Sequence, residues 1–250
     1  MSLAIIIQAR TGSTRLPNKM VLPFFDGKGI FEILIERIIA ADYRVPVILA
    51  TTINPADDIL IEIAEKKGVS VFRGSEENVL ERFIGAAEKF GVKKIIRVCA
   101  DNPFLDMDSL KFLIEKSKEL HADYWCFAKK DGTPSIKTHF GFWAEGVSLG
   151  ALIKTAELTQ ESIYQEHVTN FIYTNPGVFS VFKHSIPFEV EKRNIRLTID
   201  TLADFETARE IFTRAKNFKT PFNSLALTEL IETEPIWIES MQKEIQKNNK

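Results

Sequence analysis

From residue 8 to residue 19 the chain reads Gln8-Ala9-Arg10-Thr11-Gly12-Ser13-Thr14-Arg15-Leu16-Pro17-Asn18-Lys19, which gathers three fixed cations, three hydroxyl side chains and one glycine in one short segment. It follows Ala4-Ile5-Ile6-Ile7, an apolar run of the kind that forms a strand buried on both faces. A chain of phosphates needs backbone N–H groups pointing one way and cations that reach between its oxygens. Gly12 lets the backbone come close, Thr11, Ser13 and Thr14 add donors, and Arg10, Arg15 and Lys19 supply charge. No glycine precedes Lys19 directly and no Ser or Thr follows it, so this is not a Walker A loop, and no GxGxxG fingerprint occurs. A basic solvated loop is the plainer meaning of a few charges beside a glycine. A turn, however, needs no three cations within ten residues. The segment is expected to bind a polyphosphate.

Two carboxylates are placed to work with it. Asp101 follows the apolar strand 93–100, in the crevice beyond a strand end where open α/β sheets bind ligands, and Pro103 fixes the turn behind it. Its alternative role, capping the next helix, suits Asp106 or Asp108 better. Asp200 ends a second short strand; Thr201 and Asp204 are explained as a capping-box start to the following helix, and Asp200 is not. Mg²⁺ takes few carboxylates along with water and phosphate oxygens, so Asp101 and Asp200 suffice to hold it against a nucleoside triphosphate on the first loop.

The elements that must position these residues alternate. The spacing predicts a helix over 30–41, a strand over 45–50, a helix over 57–67, a short strand over 69–72, a helix to about Phe90 with Ser75 as its cap, and the strand 93–100. Strand and helix in turn, with brief connections, give a mostly parallel sheet with helices on both faces, an α/β fold. Further along come a helix over 110–120, a strand over 122–128, an inserted strand-and-helix region over 129–182 carrying Phe140, Phe142 and Trp143, and a strand over 178–182. Residues 161–173 read as one helix with Ile163, His167 and Phe171 roughly along a stripe. The 250 residues form a single domain.

A net charge of −2 argues against a non-specific nucleic-acid binder, and 45% hydrophobic residues is ordinary for a globular protein. No apolar run approaches the roughly 20 residues of a membrane span and no leader pattern opens the chain, so a cytoplasmic location is expected. Cys99 and Cys126 sit in apolar runs and read as reduced core residues; the four histidines lack metal-ligand spacing.

The segment Gln8 to Lys19 resembles the N-terminal signature of the sugar cytidylyltransferases, the group of CMP-Kdo synthetase and acylneuraminate cytidylyltransferase, and in particular the branch of spore coat polysaccharide biosynthesis protein F. Ala100-Asp101-Asn102-Pro103 stands where that family has Gly-Asp-x-Pro, and Asp200-Thr201-Leu202-Ala203-Asp204 resembles its Asp-Thr-Pro-Glu-Asp. The resemblance implies a Rossmann-like, nucleotide-diphospho-sugar transferase fold and transfer of a cytidylyl group from CTP to a sugar or sugar-acid acceptor, with release of pyrophosphate. It implies nucleotide contacts from Ala9, Arg10, Thr11, Gly12, Ser13, Lys19, Arg73, Ser75 and Asn78, and catalytic roles for Arg10, Arg15, Lys19 and Asp101. It further implies Mg²⁺ on Asp101 and Asp200, acceptor contacts from Glu166 and His167, and a homodimer formed through residues 129–182. Use of another triphosphate, a glycosyltransferase consuming a nucleotide sugar, and a non-catalytic nucleotide-binding protein are the competing expectations.

Overall fold

The fold is that of a computed structural model, which describes residues 2–247. The first half alternates as its apolar spacing predicts: β1 (Leu3–Gln8), α1 (Ile30–Ala40), β2 (Val47–Thr52), α2 (Asp58–Lys66), β3 (Ser70–Gly74), α3 (Val79–Lys89), β4 (Lys94–Cys99) and α4 (Met107–Glu119). The second half carries β5 (Tyr124–Ala128), β6 (Glu145–Ser148), α5 (Leu149–Leu158), α6 (Ser162–Glu166), α7 (Asn170–Thr174), β7 (Val181–Ser185), α8 (Phe188–Glu191), α9 (Leu202–Asn217), α10 (Ser224–Glu232) and α11 (Pro235–Lys247). Seven strands form one sheet in the order β3-β2-β1-β4-β6-β5-β7. β6 pairs antiparallel with β4 and with β5, and the remaining pairs are parallel.

A sheet whose middle strands are covered twice must be apolar on both faces. Ile5 and Ile7 of β1 enter a core with α1, α2, α4 and α9, whereas Ala4 and Ile6 enter a second core with α3, α5 and α7. The order in which strands are added reverses between the parallel neighbours β1 and β4, and the crevice at that switch point is where an open α/β sheet takes its ligand. The segments after β1 and after β4 both open there.

Three elements differ from the sequence expectation. Glu161 to Tyr173 is two short helices, α6 and α7, because the chain between them turns inward: Val168 is fully buried and the Thr169 hydroxyl donates to Glu145 Oε1 at 2.9 Å. Ile195 to Asp200 is extended and largely buried but joins no ladder. Its backbone serves loops and a side chain instead, with Leu197 N donating to His139 O at 2.8 Å and Ile199 O accepting from Lys19 at 2.5 Å. The last strand runs Val181–Ser185, a few residues later than expected, at the sheet edge. Within 129–182, β6 is itself a sheet strand lying between β4 and β5.

The chain beyond Asp200 is anchored by aromatic packing. Phe212 of α9 lies 5.4 Å from Phe24, 5.9 Å from Phe104 and 4.9 Å from Phe222, tying the segments after β1 and β4 to the C-terminal helices. Phe140, Phe142 and Trp143 are likewise core residues, 6%, 0% and 4% exposed.

Gly146 of β6 is packed under the indole of Trp125, whose Nε1 donates to Leu113 O at 3.0 Å. A Cβ on Gly146 would stand 1.9 Å from Trp125 Cε2, whereas one on Gly150, in the first turn of α5, meets nothing within 4 Å. Gly146→Ala should therefore lower stability by about 1–3 kcal/mol. Gly150→Ala should leave stability unchanged or raise it by up to about 1 kcal/mol. Denaturant midpoints of the two variants check this.

Candidate nucleotide site at the switch point

The loop after β1 is held by a carboxylate that does not belong to it. Asp57, 2% exposed, accepts from the Thr11 backbone N–H and from the Thr11 hydroxyl, each at 2.7 Å, on Oδ1. Its Oδ2 accepts from Thr51 at 3.2 Å and Thr52 at 2.5 Å, so one side chain joins the loop to the end of β2. Thr11 O in turn accepts from Ser13 N at 2.8 Å and Asn18 N at 3.0 Å, which closes the loop upon itself. Asn18 has a φ of 59°, a left-handed conformation that asparagine tolerates better than most residues. Ala9 is buried beneath, Gly12 is exposed, and the Ser13 hydroxyl accepts from Leu16 N at 3.4 Å.

Lys19 points inward from the end of this loop. Its ammonium is 3.1 Å from Asp101 Oδ2 and 3.9 Å from Asp200 Oδ1, and the residue is only 7% exposed. One cation thus gathers two carboxylates that are 99 residues apart in the chain. Asp200 also receives Arg15 Nη2 at 2.9 Å and Arg196 Nη2 at 2.9 Å. Arg196, 3% exposed, donates to both oxygens of Asp204 at 2.6 and 2.8 Å, and its Nη1 lies 2.7 Å from His139 Nδ1. Thr201 and Asp204 form the expected capping box at the start of α9. Arg37 of α1 secures the turn after Asp101 by donating to Pro103 O and Leu105 O, and Asp106 caps α4 through Ser109 N at 3.0 Å.

Arg10 is partly exposed and reaches across to Glu76, 3.9 Å from its carboxylate and 3.4 Å from its carbonyl oxygen. The neighbouring candidates have work within the fold. Arg73 donates to Thr52 O and Asn54 O, both at 2.9 Å, and pairs with Asp58 at 2.8 Å. Asn78, rather than Ser75, caps α3, accepting from Glu81 N at 2.9 Å; Ser75 sits one step earlier and accepts from Asn78 N at 3.0 Å. The tight Ser75–Asn78 turn displaces the cap by three residues. Beneath this turn Arg82, 1% exposed, donates to Ser75 O, and burial together with the nearby Arg10 charge brings its guanidinium down to about 10.

Next to Asp101 opens a cavity of about 460 Å³ between the end of β4, residues 135–143 and the α6–α7 break. His167 lines it; Glu166 is exposed beside it and outside the lining. Sequence reading missed Asp57, Arg196 and the Arg97 side chain on the cavity floor. The signal for the two arginines is a charge inside an otherwise buried strand-like run, Ile95-Ile96-Arg97-Val98 and Ile195-Arg196-Leu197. For Asp57 only the turn Asn54-Pro55-Ala56-Asp57 was visible, and it reads as a helix start.

Among the described residues no three or more His, Cys, Asp or Glu side chains are grouped to hold a metal ion. A divalent cation on Asp101 and Asp200 would draw its remaining ligands from water and phosphate oxygens, the donor set that suits Mg²⁺.

Burial pushes the Asp57 carboxyl up, yet the hydrogen bonds from Thr52, Thr11 and Thr51 outweigh it and hold the pKa below the usual 3.8. A depressed folded pKa contributes stability that is fully present above the unfolded value and is lost as pH falls through the folded one. Asp57→Ala should cost about 2–3 kcal/mol at neutral pH, because it strands a backbone N–H and buried hydroxyls. Measured by denaturation across pH, the deficit should be constant above about pH 5 and shrink below it.

The cytidylyltransferase family model matches residues 4–232. The chain is 35% identical over 215 residues to the spore coat polysaccharide biosynthesis protein SpsF of Bacillus subtilis, covering 84% of this chain and 86% of SpsF. It is 36% identical over 211 residues to an uncharacterized protein of Methanocaldococcus jannaschii, covering 84% and 83% of the two chains. Its structure is similar to that of a cytidylyltransferase from Leptospira borgpetersenii, with a TM-score of 0.83 and 29% identity over 95% of this chain and 97% of that one. A CMP:2-keto-3-deoxy-manno-octonic acid synthetase solved with CTP has the same fold, with a TM-score of 0.61 at 16% identity over 86% and 99%. With the loop after β1, Asp101 and Asp200 assembled at one switch point and the family match running across nearly the whole chain, the protein belongs to the cytidylyltransferase family and is a nucleotidyltransferase.

Proposed function

We propose that the protein transfers the cytidylyl group of CTP to a hydroxyl of a sugar, in particular a sugar acid, and releases pyrophosphate. The observation that carries this reading is the meeting of Lys19 with Asp101 and Asp200 beside the Thr11–Lys19 loop, with an acceptor-sized cavity opening next to Asp101. The SpsF likeness supports a sugar acceptor, and the family match supports CTP.

In this reading the triphosphate lies on the loop, where the backbone around Gly12 and the side chains of Arg10 and Lys19 face the β- and γ-phosphates, with Arg15 supporting them. The acceptor hydroxyl approaches the α-phosphorus from the Asp101 cavity. A new P–O bond forms to the sugar as its hydroxyl loses its proton to solvent, and the bond to the β-phosphate breaks as pyrophosphate departs. Such a transfer relies on placement and charge neutralisation rather than on a covalent intermediate. Asp101 and Asp200 would hold Mg²⁺, which when bound neutralises phosphate charge. Lys19, beside both carboxylates, faces the charge that accumulates on the leaving group.

Titration calorimetry with CTP, UTP, GTP and ATP, with and without Mg²⁺, tests the reading. Tight CTP binding that needs the metal and weakens in Asp101→Asn is the expected result; failure to bind any triphosphate removes it. Lys19→Ala should reduce turnover at least about 100-fold while the circular dichroism spectrum is unchanged. The reading also includes a homodimer formed through residues 129–182, supported by the exposed Ile163 and Val178 within that span. Light scattering should give twice the chain mass; a monomer at working concentration rejects that part alone.

A further inference from the structure

Three arginines are buried among the described residues, and two of them are matched by carboxylates. Arg97, 6% exposed, donates to Glu145 Oε1 at 2.5 Å, and Arg196 donates to both oxygens of Asp204 and to Asp200. Arg82, near the start of α3 and 1% exposed, has no such match. Its Nη1 donates to the neutral carbonyl of Ser75, its Nε and Nη2 donate to nothing, and no described carboxylate forms an ion pair with it. A guanidinium left unpaired in the interior is costly, and the positive partial charge at the start of a helix adds to that cost. Burial lowers all three groups, and opposite charge more than restores those of Arg97 and Arg196; that of Arg82, with Arg10 beside it, stays down at about 10.

This unmatched charge lies behind the loop that follows β1. Ser75, whose carbonyl Arg82 holds, precedes Glu76, and Glu76 closes against the loop: a Cβ on Gly12 would stand 3.1 Å from its Oε1, and its carbonyl oxygen receives Arg10 Nη1 at 3.4 Å. The two carboxylates whose charge reaches Arg82 are Asp57 and Glu76, and neither pairs with it. Asp57 is already engaged by Thr11, Thr51 and Thr52. Arg82 and Arg10 thus bring two positive charges to the side of the loop where Gly12 is exposed.

We propose that Arg82 is a buried counter-charge for the nucleotide, acting through space on phosphates seated at Gly12 and Arg10 without touching them; the inference rests on the nucleotide-binding part of the reading above. Its Nε and Nη2 are sealed from solvent, so ligand oxygens do not reach them. A field needs no contact. Little water screens a guanidinium in the interior, and no paired carboxylate cancels it at its source, so its charge is felt at the loop more strongly than that of an exposed cation. The charge is also fixed in place, held by Ser75 and packed against Gly74, where a Cβ would stand 3.1 Å from Arg82 Cγ. No rearrangement is needed when a polyanion arrives. Attraction of this kind grows with the charge of the ligand: a triphosphate gains most, a monophosphate less and a nucleoside nothing.

Arg82→Met removes the charge and keeps most of the volume, whereas Arg82→Lys keeps the charge. Calorimetry compares the binding of CTP, CDP, CMP, cytidine and inorganic tripolyphosphate to wild type and both variants, with the thermal midpoint of each. In Arg82→Met, CTP and tripolyphosphate should bind about 10-fold more weakly, CDP and CMP progressively less so, and cytidine as in wild type. The midpoint should equal or exceed that of wild type, because an unpaired buried charge has been removed. Arg82→Lys should bind CTP within about 3-fold of wild type. Unchanged CTP binding in Arg82→Met overturns the inference. So does a loss of the same size for CTP and CMP, or one that Arg82→Lys shares in full, since Arg82 would then act by shaping the turn at Ser75. A midpoint several degrees lower in Arg82→Met overturns it as well, because the guanidinium would then serve the fold. Wild type that binds neither CTP nor tripolyphosphate rejects the nucleotide reading itself.

Discussion

The site depends on the burial of one ammonium. Lys19 is drawn almost wholly out of water beyond the ends of β1 and β4, and a charge in that position needs opposite charge close by. Asp101, Asp200 and the Ile199 carbonyl provide it. Those partners come from different parts of the chain, so a single side chain joins the turn after β4 to the segment 195–200. Arg15 and Arg196 then balance Asp200, and Asp204 balances Arg196. The site is held together by counter-ions of its own.

A second constraint acts on the loop itself. The loop after β1 keeps a defined shape around an exposed glycine with the help of a residue outside it. Asp57 imposes it from below, taking donors from Thr11, Thr51 and Thr52 at once. Loop, β2 end and α2 start therefore behave as one unit.

Much of this was legible in the sequence. Apolar runs and helical spacing placed β1 to β4 and α1 to α4, since local pattern and tertiary burial agree there. The cations of the first loop, Asp101 and Asp200 stood out because their neighbours in sequence give packing no use for them; in the structure Lys19 and Arg15 pair with the two carboxylates. What escaped depended on partners distant in sequence. The break at Val168–Thr169 follows from a hydrogen bond to Glu145, and 195–200 stays out of a ladder because its backbone groups go to His139 and Lys19. Asn78 took the capping role expected of Ser75 because a local turn intervened. Arg97, Glu145 and Arg196 could have been suspected as charges among buried neighbours, but their pairing required the sheet order.

The contacts that assemble the site span most of the chain: Lys19 meets Ile199 180 positions later, and Arg15 meets Asp200 at a separation of 185. Contacts so distant in sequence are made late in folding. During synthesis Lys19 lacks half of its counter-charge until the segment containing Asp200 has emerged and α9 has docked through Phe205 and Phe212. A chain ending before residue 200 would lack both Asp200 and the helix α9, which covers one face of the sheet.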